Sequence, residues 1–373
     1  MLRGSETTDI IVVGAGIAGA SIAARLAGRA SVILLDMEDQ PGYHATGRSA
    51  ASYEPTYGPP LVRALIKASG AFFRTPPEGF AQAPLLHSRG LIMLGDADDD
   101  ALADAAVVAG YRRADVAEAM ARHPLLRADA AAIVLIDDGL MDLDVEAVLR
   151  GFLGQLRRAG GKLTCKARVD RGQRRDGVWH LSSTAGDFAA PIVVNAAGAW
   201  ADQLAASCGI DGLGLVPKRR SACIVAPPPG LDARGWPQVE YLKDTFYAKP
   251  SGGKLMISPS DEEPAEPHDA FADDLALAEA IDVYQRFFDH EVTRIERSWG
   301  GLRTFAQDGN PVIGFDRSAE GFFWSVGQGG YGIQTAPAWS EVAAALLLAS
   351  AIPAEIAKLG LTPDVLSPAR FGR

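Results

Sequence analysis

The chain has 373 residues, which suits two domains, and 48% of them are hydrophobic, ample for a buried core. A formal net charge of -10 excludes bulk attraction to nucleic acid or anionic lipid. Three dispersed cysteines, Cys165, Cys208 and Cys223, give neither a disulfide framework nor a zinc spacing, and read as small core residues in a reducing compartment.

After a short start, residues 10–13 (IIVV) suit a buried strand, and Gly14, Gly16 and Gly19 follow in the spacing G-x-G-x-x-G. A helical pattern with Ile17, Ile22, Ala23 and Leu26 comes next, then a β-rich run over 31–35 that ends on Asp36. Each part of this βαβ unit has a job in binding a dinucleotide. Gly14 permits the tight turn, Gly16 lets backbone approach a pyrophosphate at the helix N-terminus, and Gly19 lets helix and strand pack closely. Asp36, 17 residues beyond Gly19, is spaced to accept from a ribose hydroxyl. A glycine-rich turn without ligand is the plainer reading, and the strand, helix and acid together weigh against it. Neither this apolar stretch nor residues 342–352 is long enough to span a membrane.

Residues 37–60 are rich in Gly, Pro, Ser and Thr and read as an ordered loop running into a short helix near Ser49. Helical spacing returns at 63–73, a strand at 87–95, an Ala/Asp-rich solvated helix at 98–122, and a strand and turn at 133–144. Residues 145–159 place Val148, Leu149, Phe152, Leu153 and Leu156 on one helical face before Gly160-Gly161 stops it. Strands are expected at 162–169, 178–183 and 192–197, the last broken by Gly198. The middle third changes to short strands at 218–226, 238–243, 245–249 and 254–258, separated by Pro and Gly as in an antiparallel sheet. A helix follows at 275–288, strands at 299–305 and 322–326, a glycine-rich turn at 327–335, and a last helix at 339–349. The expected fold is α/β (α+β overall). A Rossmann-like nucleotide domain is assembled from 1–55, 140–215 and 297–373, and a substrate domain with a mixed or antiparallel sheet from 56–139 and 216–296.

Three groups outside the βαβ unit can carry chemistry. The run Gly327 to Thr335 lets backbone pass close to a planar group and ends at a helix N-terminus with free N–H groups. Arg219, Arg220 and Arg303 are candidates for a carboxylate, Arg303 most of all because its apolar surroundings demand a partner; pairing with Asp or Glu is the alternative. Tyr53, Tyr57 and Tyr247 suit a substrate site or a domain boundary equally. Of the histidines only His44 is placed near a cofactor. No H-E-x-x-H or G-x-S-x-G occurs, so metal and Ser-His-Asp chemistry have no support.

GAGIAG at 14–19, GYHATGRSAA at 42–51, VVNAAGAWAD at 193–202, GLRTFAQDGNPVIG at 301–314 and GQGGYGIQTAPA at 327–338 follow one another in order. Together they resemble the FAD-dependent D-amino acid oxidase superfamily over nearly the whole chain. PGYHATGRSAA, LVPKRRSACIVAPPPG and GYGIQT look most similar to bacterial D-arginine dehydrogenases. The resemblance implies non-covalent FAD in the Rossmann-like domain. It assigns to the cofactor Gly14, Gly16, Ile17, Ala18, Gly19 and Asp36, then His44, Thr46, Arg48, Ser49 and Ala50, and further along Val169, Ala197, Gly198 and Gly301. Gly329, Gly330, Tyr331, Gly332, Ile333, Gln334 and Thr335 are implied around the flavin edge. Arg220, Tyr247 and Arg303 match a clamp for the substrate carboxylate, Tyr57 a lid-region tyrosine, and Gly330 a carbonyl facing the substrate amine.

The implied reaction is oxidation of the C–N bond of a D-amino acid by hydride transfer to flavin N5, giving an imino acid that hydrolyses to a 2-oxo acid and ammonia. Oxygen or a quinone takes the electrons. Ser52 and Leu91 stand where the arginine-preferring enzymes have a histidine and a glutamate, so a strict D-arginine preference is not expected; Glu54 is a nearby carboxylate. The same clamp serves 2-hydroxy acids and glycine- or sarcosine-type amines, and a non-catalytic flavoprotein is the remaining alternative. No nucleic acid partner, metal or stable membrane insertion is expected. The cytoplasm is the expected location, with peripheral contact at the inner membrane as the alternative.

Overall fold

The structure is a computed structural model that describes residues 5–372. Ile10–Val13 and Val32–Leu35 are buried at every position. Strands without polar alternation must be covered on both faces, and these lie inside a largely parallel sheet. Its order is Lys162–Thr164, Val32–Leu35, Ile10–Val13, Ile192–Asn195, Phe322–Val326 and Val312–Phe315. Only the last strand runs antiparallel. On one face, helices Ile17–Leu26, Val145–Arg158 and Gly332–Leu347 share a core that includes Ile22, Leu26, Phe152, Trp339 and Val342. On the other, Ile11, Ile33, Val193 and Trp324 meet Leu204 and a four-stranded sheet through Trp179, Leu181 and Phe188.

The chain leaves Ile10–Val13 for a strand on one side and reaches Ile192–Asn195 on the other side only later. The strand order reverses there, and open α/β sheets bind ligands at the carboxyl ends beside such a reversal.

The second sheet has eight strands: Ile295–Phe305, Val216–Val225, Lys254–Ser258, Tyr247–Ser251, Gln238–Tyr241, Leu91–Gly95, Ile133–Asp137 and Arg112–Ala114. All pairs are antiparallel except Gln238–Tyr241 with Leu91–Gly95. Alternation sorts its faces. Ile92, Val134, Val239, Ala248, Ile257 and Cys223 form a core under helix Asp274–Phe287. The alternate positions, among them Arg220, Glu240, Tyr247 and Met256, take the opposite face, and three of them line a cleft shared with the first sheet.

Several elements depart from the sequence reading. Strand Ile295–Phe305 pairs with Val216–Val225 on both sides of residue 297, the expected start of the last nucleotide-domain segment, with a shift of register between Ile224 and Val225. Helix Pro60–Arg74, expected with the substrate domain, packs on Gly332–Leu347 in the nucleotide core, with Ser69 Oγ donating to the Thr335 carbonyl at 3.2 Å. Residues 98–122 form two helices with strand Arg112–Ala114 between them, because Gly110 at φ +121° ends the first. Residues 87–95 split into Leu86–Ser88 and Leu91–Gly95 around Gly90, also at positive φ. The last long helix starts at Gly332, seven residues early, with Pro337 inside it, and two short helices, Ala354–Ala357 and Pro363–Leu366, follow. Turns occupy 41–48, and no helix forms near Ser49.

Candidate cofactor and substrate site

A cleft of about 410 Å³ opens at the strand-order reversal, between the two sheets. Its narrow end is built from backbone. Gly14 has φ +105°, and a Cβ there would run into the Ala196 carbonyl; a Cβ on Gly19 would collide with the Gly14 carbonyl. Ile17 N donates to Thr46 Oγ1 at 3.0 Å, so the 41–48 turns are fastened over the start of the helix. Asp36 Oδ2 accepts from Ala15 N at 2.6 Å and Oδ1 from Glu38 N at 2.9 Å, which holds the glycine loop to the end of the second strand. Burial raises the Asp36 pKa, against the two backbone donors that lower it. Gly16, Ile17, Ala18, Ser49, Ala50, Val169, Ala197, Gly198 and Gly301 line the same cleft. His44 does too, bonded to Glu38 Oε1 at 2.8 Å and packed on Trp200. Arg48 lines it, but its guanidinium is engaged with protein: it donates to the Ala270 and Gly300 carbonyls at 2.9 and 2.8 Å and pairs with Asp269. That arginine ties the 41–48 turns to strand Ile295–Phe305 and the segment before helix Asp274–Phe287.

The wide end carries Arg220, Tyr247, Met256, Arg303 and Gly330. Arg303 has no hydrogen-bond partner among the described residues, although it lies in a site where unpaired charge is costly. Burial pulls its pKa down, while Tyr247, Tyr57 and Glu262 push it up, and the net shift is upward. Arg220 is partly engaged: Nε donates to the Asp261 carbonyl at 2.9 Å and Nη2 to Glu262 Oε1 at 3.2 Å. Arg219 points elsewhere and pairs with Asp273 at 2.6 Å and Asp261 at 3.4 Å, so its role is structural. Gly329, Gly332 and Ile333 bring the N-terminus of the last helix to the cleft. No side chain caps this end, which leaves its N–H groups and dipole facing the site.

Other expected residues lie off the cleft wall. Tyr57 is 40% exposed and rests against Tyr331, ring centroids 5.2 Å apart, beside the wide end. Loss of water raises its pKa, and the charges of Arg303 and Arg220 lower it. Gln334 and Thr335 are buried within the helix: Gln334 Oε1 accepts from Glu54 N at 3.0 Å, and Thr335 Oγ1 donates to the Tyr331 carbonyl at 2.9 Å. Tyr53 is a core residue against Phe73. Leu91 is buried in the sheet. Ser52 donates to Gln238 Oε1 at 3.1 Å and takes Lys249 Nζ at 3.3 Å. Glu54 is 5% exposed and accepts from the Tyr111 hydroxyl.

Sequence reading missed Trp200, Met256 and Thr304 on the cleft wall, and Gln238, Glu240 and Lys249 on the strands beside it. The alternation in QVEY at 238–241 was the available signal, since it sets two polar residues on one face of a strand whose other face is core. Thr304, 6% exposed on the cleft wall, keeps its hydroxyl without a partner.

This fold and site define a dinucleotide-dependent enzyme with a cation-lined pocket beside the nucleotide cleft. The chain belongs to the DAO family of FAD dependent oxidoreductases, whose family model matches residues 9–346. Glycine oxidase of Geobacillus kaustophilus (strain HTA426) is 25% identical over 379 residues, covering 96% of this chain and 97% of that protein. L-proline dehydrogenase from P. horikoshii superposes with a TM-score of 0.82 at 22% identity, over 99% of both chains. The L-amino acid deaminase from Proteus vulgaris gives 0.80 at 16% identity, over 99% of this chain and 98% of that one. The cofactor is FAD. Its dinucleotide is matched by the glycine cradle that any Cβ would fill, by Asp36 at the cleft wall, and by the free Thr304 hydroxyl. No helix among the described residues is long and apolar enough to cross a membrane.

Proposed function

We propose that this oxidoreductase oxidises the C–N bond of a D-amino acid to the imino acid, which water converts to a 2-oxo acid and ammonia. The observation that carries this reading is Arg303, a guanidinium without a hydrogen-bond partner among the described residues, at the wide end of the cofactor cleft. A planar donor fork left free beside Arg220 and Tyr247 suits a carboxylate held by two donors. Bound FAD supplies the two-electron oxidation.

The protein's own residues do the rest. Arg303, Arg220 and the Tyr247 hydroxyl grip the carboxylate and so fix the α-carbon against the cofactor cleft. The Gly330 carbonyl accepts from the substrate amine. Tyr57 and Tyr331 stand beside the wide end and limit water. The uncapped helix at Gly332 favours negative charge that develops in the cleft. Gly14, Gly16, Gly19 and Asp36 hold the ADP half.

The D configuration rests on the strings PGYHATGRSAA and LVPKRRSACIVAPPPG. The glycine oxidase relative bears the name of an achiral substrate and the proline dehydrogenase that of an L one. The test is anaerobic mixing of the flavoprotein with D- and L-amino acids, glycine, sarcosine and D-2-hydroxyglutarate. Bleaching of the flavin by D-amino acids is expected. Bleaching by sarcosine or the hydroxy acid alone would overturn the reading.

A further inference from the structure

Beyond the carboxylate clamp the same sheet face carries a pair of acids. Glu240 and Tyr247 are direct cross-strand partners, so their side chains leave the sheet on the same side. Glu54 reaches the same region from the chain after strand Ser52–Tyr53, where its backbone N–H is fixed to Gln334 at 3.0 Å. Both carboxyls receive hydrogen bonds from neutral donors only. Tyr111 donates to Glu54 Oε1, and the Gln238 amide donates to Glu240 Oε1 at 2.6 Å. The second oxygen of each has no donor, and no lysine or arginine pairs with either among the described residues. Glu54 is only 5% exposed, and a buried carboxylate without a counter-ion is costly. Close by, the Thr56 hydroxyl is buried without a hydrogen-bond partner.

We propose, building on the D-amino acid reading, that Glu54 and Glu240 receive the far end of the substrate, and that the enzyme selects amino acids with a guanidinium or ammonium on the side chain. The cation that the two carboxyls lack in the protein is supplied by the substrate. Arg220 and Arg303 take the negative end and the two glutamates the positive end. Electrostatics agree with the placement: Glu240 lies within reach of Glu54 and of Arg220, and burial raises the pKa of both acids, helped by the Glu54 charge at Glu240 and by Asp137 at Glu54. Leu91 has no part in this end. Its side chain, cross-strand from Gln238, is buried and brings no charge, and Glu240 stands one strand nearer to Tyr247.

The test uses the holoenzyme and two ligands that cannot be oxidised, 5-guanidinopentanoate and its neutral analogue hexanoate, titrated by the change in flavin absorbance. Both carry the carboxylate, and only the first carries the cation. The wild-type protein is expected to bind the guanidino acid roughly ten- to a hundredfold more tightly. In Glu240→Gln and Glu54→Gln the ratio should fall toward one. Because the ratio is the readout, a general loss of flavin or folding cancels. A ratio near one in the wild type overturns the proposal, and so does a high ratio kept by both variants. If the ratio holds but D-arginine and D-lysine fail to bleach the flavin, the reaction proposed above falls and the acidic end stands.

Discussion

Arg303 Nη1 occupies the space beside Gly330 that any side chain would need: a Cβ on the glycine would come within 3.0 Å of it. The two residues come from different elements, the long edge strand of the second sheet and the turn before the last helix of the first domain. Their closeness fixes the guanidinium at the mouth of the cofactor cleft. Gly330→Ala is expected to displace the fork and raise KM for carboxylate substrates. Arg303→Lys keeps the charge but loses the planar pair of donors. Loss of at least about 2 kcal/mol of binding, roughly thirtyfold in kcat/KM, is expected with flavin content unchanged. Steady-state kinetics beside the flavin absorbance ratio check it; a lysine variant with wild-type KM would remove the carboxylate role.

The glycine loop yields a prediction read without substrate. Gly19 has its helix packed so closely on the preceding strand that a Cβ would strike the Gly14 carbonyl. Gly19→Ala must therefore push the helix start away from the loop and from Thr46 Oγ1, which accepts from Ile17 N. The expected product is folded but flavin-poor protein. Ultraviolet circular dichroism near wild type, together with loss of bound flavin on gel filtration, is the result to look for.

Asp36 makes a related case with a different chemistry. Its carboxyl accepts from Ala15 N and Glu38 N, so it stiffens the loop as well as offering an acceptor to the ribose. Asp36→Ala leaves two backbone donors without their acceptor, an effect of about 1–3 kcal/mol. FAD affinity is expected to fall at least roughly tenfold. Titration of apoprotein with FAD by fluorescence quenching measures it, and an unchanged affinity would mean that the acid has no role in holding the dinucleotide.

How far the sequence led depends on which physics each residue obeys. Local patterns carried the nucleotide half: IIVV, three spaced glycines and an acid at the end of the next strand require only neighbours in the chain. Arg303 was legible for a similar reason, since a charge between Trp299 and Phe305 announces a missing partner. The separation of Arg219 from Arg220 was not legible, because successive residues of one strand take opposite faces and only the register decides which meets Asp273 and which the cleft. Glu240 was missed because its meaning comes from Tyr247 on the next strand and from Glu54, nearly two hundred residues away. The start of the last helix was hidden by glycines and Pro337, which propensity counts against a helix and which tertiary packing overrode.

Glu54 and Glu240 also predict an unusual pH dependence of stability in the ligand-free protein. Burial is the first cause of the upward shift in both, with Asp137 adding to it at Glu54 and Glu54 adding to it at Glu240. The unfolded chain releases these protons in the ordinary glutamate range, near pH 4.3 or about that, while the native state holds them to higher pH. Between the two the native state binds more protons, so this contribution to stability is fully present below the unfolded pKa and is lost as pH rises through the folded values. Glu240→Gln keeps an oxygen to accept from the Gln238 amide and removes the titration. The variant should therefore melt close to wild type at about pH 5 and above it at about pH 9, by roughly 1–2 °C for each kcal/mol of strain relieved. A cationic ligand reverses the effect: with 5-guanidinopentanoate bound, the charged pair is matched and the wild type melts above the variant at the higher pH. Thermal melts at both pH values, with and without the ligand, test the sign. A variant that lost stability equally at both would show that Glu240 is held in its charged form by the protein alone.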